Sequence, residues 1–318
     1  MNGSVRGFTL IELSIVLVII GLIAGGVLVG QDLIRAAGVR AQISQIERYQ
    51  TAANTFRGKY GYLPGDIKDP EATQFGFTLR GQYKGEGDGN GVLEGISANN
   101  TSGHNCFSEF GGELAMFWVD LTIAKLIDGS FATATPTAVI NSMVSGSTID
   151  KYFPQAKIGN GGYVYIWCGG WSTYTSTTGD SLNYFSITGT PSTTAGWGNT
   201  SGEVPLLTVA QAYAIDKKMD DGLPQSGGVL AMAGRSPWAS GGPINPTAVR
   251  YETNIGDFDA DNGGPITSAT TNPYYDVDNG AALFDTCYNN GHTLQPEHYS
   301  VELNSGAGVN CVLSFRFQ

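Results

Sequence analysis

The feature that most constrains this chain is an apolar run from Leu10 to Val29, LIELSIVLVIIGLIAGGVLV, interrupted only by Glu12, Ser14 and a few glycines. As a helix, such a run of about twenty residues is roughly 30 Å long, the thickness of a bilayer core. The run does not stop at a turn. It passes into QDLIRAAGVRAQISQIERYQTAANTFRGKY, where Leu33, Ala37, Ile43, Ile46, Tyr49, Ala53 and Phe56 recur near helical spacing. That spacing predicts a single helix to Arg57, about 50 residues and roughly 75 Å long, closed by Gly58 and Gly61 ahead of Pro64. A secretory signal peptide shares the basic Arg6, the apolar stretch and the small pair Ala24 and Gly26. A disposable signal, however, is not fused to a helix of this length.

Glu12 adds a second constraint, because it stands near the start of the apolar run. A carboxylate at bilayer depth costs about 2.5–3.5 kcal/mol even on a lenient insertion scale. Such an acid is there for a function, and its natural partner is a cation presented in the same apolar layer.

Gly7-Phe8-Thr9-Leu10-Ile11-Glu12, with a short basic leader before it and the apolar run behind it, resembles the class III leader of type IV pilins and type II secretion pseudopilins. The resemblance implies that a prepilin peptidase/N-methyltransferase cuts after Gly7 and methylates Phe8. The chain then divides into a leader over residues 1–7, a transmembrane and assembly helix over 8–57, and an extracytoplasmic headgroup over 58–318. Glu12 becomes the fifth residue after the cut and matches the glutamate that, in this family, pairs with the N-terminal amine of a neighbouring subunit. Polymerisation then relieves a desolvation penalty that the free subunit bears in the membrane. The implied partners are other pilin or pseudopilin subunits, the peptidase, an inner-membrane assembly platform and membrane lipid. The implied location is the bacterial inner membrane, then a periplasmic pseudopilus or a cell-surface pilus. Many major pilins carry a proline near the membrane exit of this helix, whereas here the glycine pair Gly25-Gly26 stands in that region.

Composition excludes other classes. A net charge of −11 and a pI near 4.6 have the wrong sign for holding a phosphate backbone, so no nucleic-acid partner is expected. Hydrophobic residues at 41% are too many for a disordered solvating chain. Charged residues at 14%, with 45 glycines, suit a loop-rich extracytoplasmic head.

Within that head, residues 112–128 place Leu114, Phe117, Trp118, Leu121 and Ala124 on one helical face, with Gly129 as a stop. Residues 208–224 read as a second helix, with a Thr208/Gln211 capping box and Gly222 and Pro224 closing it. Strands are expected at Tyr163–Cys168, at Gly228–Ala233 and in the C-terminal CVLSFRF, where Cys311, Leu313, Phe315 and Phe317 alternate with Ser314 and Arg316. The fold class is therefore α+β: a long N-terminal helix packed on an antiparallel sheet headgroup, pilin-like, with large loop insertions. The phrases IDKKMDDGLPQSG and KYGYLPGD resemble segments in the headgroups of some bacterial pilin-like proteins. The turn-rich stretch Ser172–Gly202 is a candidate for subunit-specific surface recognition.

Four cysteines, Cys106, Cys168, Cys287 and Cys311, with no CxxC pair, read as two disulfides in an oxidising compartment. Three pairings are open from the residues alone. The pilin resemblance favours Cys287 with Cys311, which leaves Cys106 with Cys168.

Three acidic clusters are candidates for calcium, the one cofactor the sequence suggests. The first is Glu86, Asp88, Asn90 and Glu94 in KGEGDGNGVLEG. The others are Asp257, Asp259 and Asp261, then Asp276 and Asp278, in two DxDNG phrases. Against them stands the simpler reading that Asp, Asn and Gly make turns. Exposed Trp171 and Trp197 fit turn packing better than glycan binding. No catalytic motif is present: GxSxG, GxxxxGK[ST] and HExxH are all missing, and the three histidines are scattered. The expected function is a structural pilin-like subunit rather than an enzyme. The alternatives are a minor pilin with an adhesin head, or a type II secretion pseudopilin that drives export.

Overall fold

The computed structural model describes residues 10–96, 104–105, 111–137, 146–159, 161–168, 182–188, 206–224, 226–233, 258–259, 264–265, 287–289, 298–299, 301, 306–307 and 309–318. The apolar run and the amphipathic stretch behind it form one helix, α1, Leu10–Tyr60. It ends one turn later than Arg57 because Gly58 stays helical. The stop is Gly61, which takes φ +80 and donates its N–H to the Arg57 carbonyl at 2.8 Å. A left-handed C′ glycine of this kind satisfies a carbonyl that would otherwise lack a helical partner.

A short helix α2, Glu71–Gln74, follows, and then α3, Gly112–Ile123. α3 is shorter than the sequence spacing suggests. The chain leaves it at Ala124 and Lys125, with Lys125 at φ 59, and the Leu126 N–H closes back onto the Leu121 carbonyl at 3.0 Å. Gly129 therefore lies in the loop beyond. Every residue from Gly112 to Leu121 is buried, so α3 is enclosed on all sides rather than along one stripe. The last helix, α4, spans Val209–Met219 and starts with the expected capping box between Thr208 and Gln211.

The antiparallel sheet contains β1 Tyr163–Cys168, β2 Asn183–Thr188, β3 Leu207–Thr208, β4 Val229–Ala233 and β5 Val309–Arg316. The C-terminal strand β5 is its centre: it pairs with β2, β3 and β4, while β1 pairs with β2. The register sets Phe185 beside both Ile166 and Phe315, and Leu313 beside Ile187 and Ala231. This face meets the helices, with the Phe185 ring 6.1 Å from Tyr49 of α1 and 5.7 Å from Phe117 of α3.

The opposite face is buried as well, which changes the reading of β5. Alternation places Ser314 and Arg316 away from the core; Arg316 is exposed, but Ser314 is fully buried. Trp167 Nε1 donates to Ser314 Oγ at 3.1 Å, and the Trp167 ring stacks on Tyr184. A hydroxyl can sit inside a sheet when a buried indole N–H needs an acceptor.

Cys287 and Cys311 are joined, as the pilin resemblance implies. Cys168 is also disulfide-bonded, and Cys106, its expected partner, lies outside the described residues.

Candidate assembly helix and acid-anchored loop

From Leu10 to Ala37 no residue of α1 is buried, and Leu10, Leu22 and Ile34 are 87%, 73% and 73% exposed. Val39 is the first core residue. Up to Gly30 the free half is apolar apart from Glu12 and Ser14, with a mean hydropathy of 2.7 over its best window, so by length and composition it can cross a membrane; Gln31, Asp32 and Arg35 follow. Added Cβ atoms at Gly21, Gly25, Gly26 or Gly30 would meet nothing within 4 Å. Among the described residues nothing requires glycine at these positions, but small residues let helices approach closely in lipid. Glu12 occupies the first turn of this half, where a carboxylate also suits the helix dipole.

Gly7 and Phe8 lie outside the described residues. A family model of the prokaryotic N-terminal methylation motif matches residues 3–28. The chain carries a class III prepilin-type signal. The match spans Gly7, Glu12 and most of the exposed apolar helix. It supports a processed subunit of type IV pilin or pseudopilin kind, anchored in a membrane before assembly through its N-terminal helix. No curated protein and no solved structure matches the chain.

The head of this prepilin-type chain contains a second arrangement, around the GEGDGNG loop. The four side chains proposed from sequence as a calcium set do not converge. Glu86 turns back to accept the Tyr83 N–H at 3.0 Å, while Asn90 bonds Asp88 and the Val92 N–H. Asp88 instead lies with Asp66 and Glu113, the carboxylate oxygens of the three lying within 4.8 Å of one another. Neither Glu86 nor Glu94 is part of that group.

The oxygens of this group are already in use. Asp66 accepts the N–H groups of Gly89, Asn90 and Gly91 at 2.8, 3.1 and 2.9 Å. Glu113 accepts those of Gly87, Asp88 and Glu94 at 2.9, 3.2 and 2.9 Å. The loop is thus folded around two carboxylates by its own peptide donors. Gly87, at φ +103, must be glycine, because a Cβ would lie 2.7 Å from Arg80 and from the Ile67 carbonyl. Burial raises the Asp66 carboxyl to about 7, helped by the charge of Asp88 and opposed by the loop amides. Burial also pushes Glu113 well up, with Asp66 adding to the rise.

Beside the loop, Arg80 Nη2 grips both oxygens of Asp120 at 2.6 and 2.7 Å, with both side chains fully buried, and Asp120 also accepts the Gly65 N–H. Asn183 of β2 fixes the far end of the loop through the Leu93 N–H and the Gly91 carbonyl.

The phrase IDKKMDDGLPQSG is a second amide-holding device. Asp216 accepts the Gly222 N–H and the Tyr299 hydroxyl, Asp220 accepts the Gly228 and Val229 N–H groups, and Asp221 accepts Leu223 N–H and Ser226 Oγ–H. The phrase is the connector that turns the chain from α4 into β4.

Of the later acidic candidates, Asp257, Asp261, Asp276 and Asp278 lie outside the described residues, as do Trp171 and Trp197. Asp259 is described only as backbone, paired with Gly264. Sequence reasoning missed Asp66, Glu113 and the Arg80–Asp120 pair. The available signal was KYGYLPGD, whose last residue is Asp66, but nothing local ties that residue to a loop over twenty positions away.

Proposed function

We propose that the chain is a structural filament subunit: cut after Gly7, methylated at Phe8 and packed through α1 against other copies or related subunits, with residues 58–318 held outside the cytoplasm as the head. The observation that carries this reading is the methylation motif seated on a helix whose residues from Leu10 to Ala37 are none of them buried. The apolar half lies in the inner membrane before assembly and becomes filament core afterwards. Glu12 then sets subunit register by meeting the amine of a neighbour's processed terminus, since a carboxylate at bilayer depth is costly and a cation in the same layer offsets that cost. Prepilin peptidase and an inner-membrane assembly platform are the processing and assembly partners.

The test reads the N-terminal peptide and its abundance by mass spectrometry of sheared surface and membrane fractions. A methylated Phe8 terminus abundant in the sheared fraction marks a pilus subunit. The same terminus confined to the envelope marks a minor pilin or a secretion pseudopilin, and an intact leader rejects the reading. Glu12→Val should keep cleavage and lose filament incorporation by at least about tenfold, a coupling of the size expected when one charge loses its partner. Normal incorporation would remove the amine-pairing role.

A further inference from the structure

The segment that ties α1 to the head at its membrane-facing end is built differently from the rest of the core. Between Val39 and Ile46, the inward face of α1 carries the buried amides Gln42 and Gln45. They read the backbone of residues 155–158. Gln45 Nε2 donates to the Gln155 carbonyl at 2.8 Å and to the Tyr49 hydroxyl at 3.0 Å. Gln45 Oε1 accepts the Lys157 N–H at 2.9 Å and Gln42 Nε2 at 3.1 Å, while Gln42 Oε1 accepts the Ile158 N–H at 2.9 Å. Gly38 lies flush on this segment, since a Cβ there would stand 3.3 Å from the Ile158 carbonyl oxygen.

The same segment hangs from the outer edge of β1, where the Val164 N–H bonds the Pro154 carbonyl and the Ala156 N–H bonds the Gly162 carbonyl. Its tip holds Gly159 and Gly161 at φ +96 and +73, both with open space where a Cβ would be. On its other flank is a groove of about 860 Å³, lined by Arg48, Tyr49, Leu126, Phe131, Pro154 and Lys157. The contact is thus polar for the most part, with Ala156 and Ile158 its apolar share, and it has a pivot and room to move. Water can replace each of these hydrogen bonds on opening, whereas the aromatic packing around Phe56 has no such substitute.

We propose that residues 154–158 are a releasable strap, which lifts off α1 as a local unit and extends the free helix face from about residue 37 to about residue 45. That face runs on from the exposed part of α1 through Gln31, Asp32 and Arg35, so the strap contributes to how much of α1 a neighbouring copy can reach. This use of the strap rests on the filament reading above.

Residue-resolved hydrogen exchange on the full chain in detergent micelles tests it. The amides of Lys157 and Ile158 should exchange at least about a hundredfold faster than those of Phe56 and Leu313, as local opening does relative to core opening. Gln42→Ala with Gln45→Ala should speed Lys157 and Ile158 at least about tenfold further and leave Phe56 and Leu313 unchanged. Protection at Lys157 and Ile158 equal to that of Phe56 would overturn the strap. So would a variant that speeds all four amides together, since the glutamines would then hold the whole head. The N-terminal peptide read from the same sample separates this failure from failure of the filament reading.

Discussion

The two halves of α1 share one backbone and differ in where their stability comes from. Residues 10–37 have no buried position, while Val39, Ile46, Ala52, Ala53 and Phe56 are core. The first half is a run of helix-compatible apolar residues whose backbone groups pair within the helix itself, the arrangement a lipid environment would require. The second is helical because its apolar stripe is covered by α3, α4 and the sheet. A helix can thus be continuous in geometry and divided in energetics, one half anchored by the head and the other left unburied along its length.

The sharpest way to break this comparison is a matched pair of truncations, measured by denaturation of the full chain in micelles. Phe56→Ala should destabilise the head by about 3–5 kcal/mol, the usual cost of emptying a buried aromatic site. Leu22→Ala should leave head unfolding unchanged. If Leu22→Ala also destabilises the head, the halves are not energetically separate. Asp120→Ala should also cost about 3–5 kcal/mol, because it strands the buried Arg80 guanidinium, and Arg80→Met with Asp120→Leu should recover most of the loss. No recovery would mean that Asp120 acts mainly through the Gly65 N–H.

A smaller effect follows from pH. Burial raises Asp66 and Asp216 to about 7 from 3.8. Each carboxyl therefore binds its proton more tightly folded than unfolded. Their contribution to stability is complete below about pH 4 and is lost as pH rises toward 7. The melting temperature of the head should fall between pH 5 and pH 8, and Asp66→Asn should flatten that slope. A melting temperature that rises across this window would contradict the assignment. The lowered carboxyls Asp69, held down by the Arg80 N–H and Thr73, and Asp150, held by Gln155 and Tyr163, act oppositely, but only at more acidic pH.

The smallest expected effect is that of calcium. The oxygens of Asp66 and Glu113 are already occupied by six loop N–H groups, so millimolar calcium should leave the melting temperature unchanged. A calcium-dependent rise abolished by Asp66→Asn would show that the loop binds a cation after all.

Much of this architecture was legible in the residues. The long helix, the capping box at Thr208, the strand at Tyr163–Cys168 and the prepilin-type signal are all encoded over short spans, where period, turn chemistry and motif spacing act directly. The loop was misread for the same reason. Its alternate acids look like a converging ligand set, yet Glu86 turns back on Tyr83 and only Asp88 joins the buried group. Period alone also could not show that α3 is enclosed on every side, or that Ser314 is buried under Trp167.

The sequence by itself determined that a long helix, apolar enough in its first half to cross a membrane, would enter an α+β head, because hydrophobic period and segment length decide that without help from distant residues. Only the tertiary structure decided which carboxylates are buried, which loop amides satisfy them, and where α1 passes from free to covered. Those outcomes depend on desolvation, and a group is desolvated by whatever remote chain packs over it.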